Sequence, residues 1–274
     1  MNPISGASPF NIHVLQMQCR LGDAAANLSQ LAAGAQRAAA RGAQLLLAPE
    51  LCITGYGAEE ALRETAERDT QDQLQALQAV ADQHRMALVV GLAERSGRAL
   101  YNCAALVRPG FRPELYRKTC LFGQHERSLF TPAPPSTCVF EHGGWRLGLL
   151  VCFDVEFPEN VRRLAQAGAQ LVAVPTALPA NRYSPFVAQQ LVPVRAFENQ
   201  VFVAYADHVG HDGRFAYAGL SCIAAPDGTR LAHADAHTPT DLSARLVPAD
   251  YADSAAQNSY LSALDDLASA GQRL

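Results

Sequence analysis

The stretch Leu147-Gly-Leu-Leu-Val-Cys152-Phe-Asp-Val-Glu-Phe-Pro158-Glu-Asn160 decides how the rest of the chain is read. An apolar run of strand length meets a cysteine, a short turn follows, and a proline then opens a helical pattern. A thiol at such a strand-to-helix turn is held rigidly, with backbone N–H groups close enough to receive an oxyanion. From these residues alone Cys152 reads either as the end of a buried strand or as a nucleophile.

Working outward, apolar runs of strand length alternate with helical patterns. Strands are expected at Phe10–Met17, Gln44–Ala48, Ala87–Leu92, Asn102–Val107, Thr137–Phe140, Trp145–Cys152, Leu171–Pro175 and Val201–Ala206. Helices are expected at Asn27–Arg41, Gln71–His84, Pro158–Ala167 and Val187–Glu198. His142-Gly143-Gly144 reads as a hairpin turn, and Tyr217–Val247 as shorter strands broken by turns such as Pro226-Asp227-Gly228. This mixture of βα alternation with hairpins points to an α/β sandwich and not to a purely parallel sheet. No repeat or linker interrupts it, so one domain spanning 1–274 is expected, with a core of about 10–250 and a polar, Ala/Ser-rich tail at 251–274 that is helical or frayed.

Composition removes several function classes. The chain has 274 residues, a net charge of −4 and no cluster of Lys and Arg interleaved with aromatics, which argues against nucleic acid as a partner. No apolar run is long enough to span a bilayer, and Met1–Phe10 lacks the pattern of a secretory signal. The seven cysteines are scattered without a CxxC pair, which fits a reduced, cytoplasmic protein without a disulfide framework or zinc site. No metal and no organic cofactor is expected.

Two other segments put a charged residue after a strand-like run. Glu50 follows Leu45-Leu-Leu-Ala-Pro49, and Lys118 lies in Leu115-Tyr-Arg-Lys118-Thr-Cys-Leu-Phe122. Each alone would read as a surface charge. None of the eight histidines sits in a comparable strand-end context, and His125 is the only one beside other candidate polar groups, so a carboxylate becomes a candidate base.

Together the three segments resemble the nitrilase, or carbon–nitrogen hydrolase, superfamily, over about Asn11 to Leu246. The carriers are Leu46-Leu-Ala-Pro-Glu50-Leu-Cys-Ile-Thr-Gly-Tyr56, Tyr116-Arg-Lys118-Thr-Cys-Leu-Phe-Gly123 and Leu150-Val-Cys152-Phe-Asp-Val-Glu-Phe-Pro-Glu159. The resemblance implies a Glu50–Lys118–Cys152 triad. Glu126, in Gln124-His-Glu126-Arg-Ser-Leu-Phe-Thr-Pro132, matches the second glutamate of many amidase members. It also implies oxyanion or substrate contacts at Phe153, Tyr56, Thr176 and Ala177, and an αββα sandwich that pairs into an αββααββα homodimer through Pro158–Ala167 and parts of Val187–Glu198. Phe153, Cys120 and Ala133 depart from the residues most common at their positions, and none of them removes a catalytic group.

The implied chemistry is hydrolysis of a small primary amide: Glu50 takes the thiol proton, Lys118 lowers the thiol pKa, and Lys118 with the Phe153 N–H holds the oxyanion. Val174-Pro-Thr-Ala-Leu178 and Leu191-Val-Pro-Val-Arg-Ala-Phe-Glu-Asn-Gln200 look like the bacterial aliphatic amidase branch, which includes R-stereoselective amidases and 5-aminopentanamidases. A nitrilase or an N-carbamoyl hydrolase would use the same triad, the latter with Arg182 as the nearest candidate anchor for a carboxylate. A non-catalytic metabolite-binding protein on the same scaffold is the reading from a different class.

Overall fold

The computed structural model describes residues 7–65 and 67–271, with the side chains of 268–271 left aside. Residues 1–6 of the segment read as lacking a signal, and 272–274 of the expected tail, lie outside the described residues.

Among the described residues twelve strands form two six-stranded sheets, flanked by helices as the sandwich expectation required. The first sheet has the order β12 (Thr240–Leu246), β1 (Phe10–Gln16), β2 (Leu45–Leu47), β3 (Ala87–Ser96), β4 (Ala99–Val107), β5 (Glu114–Arg117). The second has β11 (Arg230–His233), β10 (Cys222–Ala224), β9 (Phe202–Ala206), β8 (Leu171–Pro175), β7 (Trp145–Leu149), β6 (Val139–His142). In each sheet three consecutive strands pair parallel, and every other strand pairs antiparallel with its neighbour.

Alternation along the strands explains the layering. Ile12, Val14, Leu45, Leu47 and Val89 face the second sheet, where Trp145, Leu147 and Phe202 meet them. The neighbours Leu15, Leu46, Leu88 and Val90 face outward, onto Leu31, Ala35 and Ala38 of α1 (Ala24–Ala40) and Leu77 and Ala81 of α3 (Glu67–His84). With both faces covered, β2 and β8 read as unbroken apolar runs. Outside the second sheet lie α5 (Pro158–Gln166) and a helical segment made of α6 (Ser184–Phe186), a π turn (Val187–Leu191) and α7 (Val192–Asn199).

Several boundaries shift from the sequence expectation, and two of the shifts bear on the site. The strand expected to reach Cys152 stops at Leu149, because the Val151 N–H is captured by Asp154 Oδ2 at 3.1 Å instead of by a neighbouring strand. Lys118 lies just beyond β5. The helix expected from Val187 begins at Ser184 and carries the π turn, which accommodates Pro193 and its missing N–H. The tail is helical over α8 (Ala252–Gln257) and α9 (Tyr260–Gly271), and Tyr260 packs edge-on to Phe197 with ring centroids 5.7 Å apart. Among the described residues no helix is long and apolar enough to cross a membrane.

Candidate active site

Glu50, Lys118 and Cys152 each follow the carboxyl end of a strand, in β2, β5 and β7 respectively, and the folded sheets bring these ends to one place. Pro49 cannot donate to a ladder, so the chain leaves the sheet after β2. The Glu50 N–H then reaches across to the Thr176 carbonyl of the other sheet at 3.3 Å. Gly91 of β3 fixes this turn from behind: its N–H donates to the Pro49 carbonyl (3.1 Å), and its own carbonyl accepts from the Cys52 N–H (3.0 Å). The approach is so close that a Cβ on residue 91 would lie 2.3 Å from Glu50 Cα.

Lys118 is fully buried and shared between two carboxylates. Its Nζ lies 2.7 Å from Glu50 Oε1 and 2.7 Å from Glu126 Oε1. Asn102 Nδ2 also donates to Glu50 Oε1 (2.6 Å), while Glu126 accepts from Tyr56 Oη (2.9 Å) and from the Phe122 N–H (2.9 Å). Glu50 Oε2 has no hydrogen-bond partner among the described residues. Two carboxylates and one ammonium in a dry site leave excess negative charge, which a proton can relieve. Burial, only partly offset by Lys118, accordingly raises Glu50 to about 7. Burial alone would depress the Lys118 ammonium, but Glu126 and Glu50 outweigh it and hold it above its usual value.

Cys152 opens a 3-10 turn (Cys152–Glu156) with φ of +46°, a left-handed conformation that a non-glycine residue adopts at a cost of about 1–3 kcal/mol. Asp154 holds the turn. Its carboxylate accepts from the Val151 N–H (3.1 Å), Tyr116 Oη (2.9 Å) and the Cys120 N–H (2.7 Å), which ties the nucleophile turn to the segment carrying Lys118. The Ala177 N–H is directed at the Cys152 sulfur. Lys118 pulls the thiol pKa down, as expected, but it does not prevail. Burial and the nearby Glu50 push the thiol well above its ordinary pKa, and the opposing pull of Lys118 is smaller.

The structure therefore brings Glu50, Lys118, Glu126 and Tyr56 into one hydrogen-bonded cluster, with Thr176 bonded to the Glu50 backbone and the Ala177 N–H beside the thiol. Phe153 packs edge-on between Phe122 and Phe157, and with them borders a cleft of about 410 Å³ that Cys120, Leu121, Arg127, Phe130 and Pro132 complete. Arg182 is exposed and lies over the Tyr183 ring.

Sequence reasoning missed Asn102, Tyr116, Asp154 and Gly91, although Tyr116 and Asp154 lie inside the quoted motifs. It also missed His208, which contradicts the expectation that no histidine sits at a strand end. His208 lies two residues past β9, is buried, and its Nε2 is 2.6 Å from the Glu50 backbone carbonyl.

A two-sheet sandwich with a cysteine turn and a buried Glu–Lys–Glu cluster at its strand ends defines a class of thiol hydrolase. The chain belongs to the carbon–nitrogen hydrolase family, whose profile matches residues 11–256. It is 41% identical over 234 residues to a hydrolase from the pqqF 5′ region of Pseudomonas protegens, covering 84% of this chain and 80% of that one. It is 37% identical over 223 residues to an (R)-stereoselective amidase of a Pseudomonas species, covering 81% and 80%. Its fold matches a mutant of the amidase from Nesterenkonia sp. AN1 in complex with butyramide, with a TM-score of 0.82, 36% identity and coverage of 88% of this chain and 92% of that one.

Proposed function

We propose that this chain hydrolyses a small primary amide to a carboxylic acid and ammonia through a thioester on Cys152. The observation that carries this reading is the buried Lys118 bridging Glu50 and Glu126 beside the Cys152 turn. Butyramide in the Nesterenkonia relative, and a covalent acetamide adduct on the active-site cysteine of another mutant of it, support the substrate class and the nucleophile.

The thiol is protonated at rest, so attack and proton loss go together. Glu50 accepts the proton through Oε2 as sulfur bonds to the amide carbon. Two of the three Lys118 donors are held by Glu50 and Glu126, and the third meets the developing oxyanion with the Phe153 N–H. Glu50 returns its proton to the nitrogen as the C–N bond breaks and ammonia leaves. Water then adds to the thioester, giving a proton to Glu50, and the acid departs as the thiol is re-formed. Glu126, fixed by Tyr56 and Phe122, orients Lys118 and the substrate nitrogen.

The catalytic domain in this reading is one carbon–nitrogen hydrolase unit over the whole chain, resident in the cytoplasm. It pairs as a homodimer through α5 and the α6–α7 segment, where Phe157 just before α5, Phe186 and Val194 leave apolar surface exposed. Ammonia release across amides, nitriles and carbamoyl compounds tests the substrate class. Turnover of butyramide lost in Cys152→Ala supports the reading. Turnover confined to nitriles or carbamoyl compounds, or absent from every compound, overturns it.

A further inference from the structure

His208 is a buried titratable group that the reaction above does not use, yet it touches the turn that carries the base. The Glu50 carbonyl can only accept, so the 2.6 Å contact requires the proton on Nε2. Burial favours the neutral form, lowering His208 to about 4.

The ring is held on several sides. Tyr217 packs against it at a tilt, with centroids 4.9 Å apart, and the Tyr217 hydroxyl donates to Asp212. Asp212 in turn accepts from the N–H groups of Gly57 (3.1 Å), Arg214 (2.9 Å) and Phe215 (2.7 Å), locking the 208–217 loop. Asp207 Oδ1 accepts from the His208 N–H (2.8 Å) and the Leu178 N–H (2.8 Å). The same loop supports the second carboxylate, because Phe215 packs against Tyr56 (5.3 Å), whose hydroxyl holds Glu126.

We propose that His208 is a positioning residue for Glu50: its Nε2–H fixes the Glu50 carbonyl, and the Tyr217–Asp212 pair fixes the imidazole, so that the carboxylate stays aimed at the Cys152 thiol. Gly91 holds the Pro49 side of the peptide turn and His208 the Glu50 side, giving the base a backbone clamped from both sheets. This rests on Glu50 being the proton acceptor of the proposed reaction. An ångström of drift in such a group costs on the order of 100-fold in rate, far more than a hydrogen bond to a distant carbonyl would otherwise suggest.

The test compares His208→Phe, His208→Gln, Tyr217→Phe and Glu50→Gln with the parent, using ammonia release from butyramide and kcat per alkylatable Cys152. Phenylalanine keeps a ring against Tyr217 without the N–H, and glutamine restores an N–H donor. The expected result is a kcat lowered about 10- to 100-fold in His208→Phe with KM within about threefold, and kcat in His208→Gln within about fivefold of the parent. The acid limb of kcat/KM in His208→Phe moves to higher pH as Glu50 loses its alignment with Lys118 and Asn102. Tyr217→Phe lowers kcat by about 2- to 5-fold. A merely structural role would leave kcat per titrated site and the acid limb unmoved. His208→Phe within twofold of the parent per site, or His208→Gln no better than His208→Phe, overturns the proposal while an inactive Glu50→Gln leaves the base assignment standing. Full activity of Glu50→Gln overturns both. Should His208→Phe fail to fold, an unchanged kcat per site in Tyr217→Phe overturns the positioning role.

Discussion

Gly91→Ala adds one methyl group at a position that never touches substrate, and its consequence can be worked out from distances. The new Cβ would stand 2.3 Å from Glu50 Cα, 2.4 Å from the Pro49 carbonyl oxygen and 2.5 Å from the Leu51 N, all of them backbone atoms. Ordinary contact begins at 3.4 Å, so strand β3 and the Glu50 turn must separate by about 1 Å. That movement strains the two hydrogen bonds between Gly91 and the turn, and it carries the Glu50 carboxylate away from its alignment with Lys118 and the thiol. A displacement of that size costs about 100-fold in rate, or about 2.7 kcal/mol of transition-state stabilisation. Overpacking itself costs about 1–3 kcal/mol of stability, a fall of very roughly 2–12 °C in Tm for a chain of this size. Steady-state ammonia release from butyramide, with thermal unfolding of the same sample, measures both. The reasoning is refuted if Gly91→Ala keeps kcat/KM within about twofold of the parent while remaining folded.

Further outcomes follow from the charges. Glu50 must be ionised to accept the thiol proton and is raised to about 7, so kcat/KM should fall as pH drops through about 7. A profile flat down to pH 5 would remove Glu50 as the base. Lys118→Met leaves Glu50 and Glu126 buried together without their cation, and should cost about 3–5 kcal/mol in urea unfolding. Because protonation of a carboxylate replaces the missing charge, that loss should shrink from pH 8 to pH 5, and a loss independent of pH would count against the cluster. Tyr116→Phe should destabilise by about 1–3 kcal/mol, because the buried Asp154 carboxylate loses one of its three donors. Thermal unfolding indistinguishable from the parent would show that Asp154 is held without it.

The strands were legible because burial on both faces leaves a plain record in composition: Leu171–Pro175 is apolar throughout and forms a strand with those bounds. The charged groups past the ends of such runs were legible too, since Glu50 and Lys118 interrupt patterns that otherwise continue. What escaped depends on pairing between distant segments. Asn102 and Glu50 are 52 residues apart, and His208 and Glu50 are 158 apart, so neither contact leaves a local trace. Nothing in the sequence around Gly91 shows that the close approach of a peptide turn excludes a side chain there. The sign of each charge around Cys152 was readable in the motifs, but burial was not, and burial is what reverses the direction of the thiol's pKa.

The central claim is that Cys152 forms a thioester with the acyl group of an amide. Mixing the protein with butyramide, quenching in acid within the first turnovers and weighing the intact chain and its peptides tests this most directly. The account predicts one added butyryl group on the peptide containing Cys152, released by neutral hydroxylamine and absent from Cys152→Ala. An acyl group on any other residue, or butyramide turnover persisting in Cys152→Ala, would contradict it.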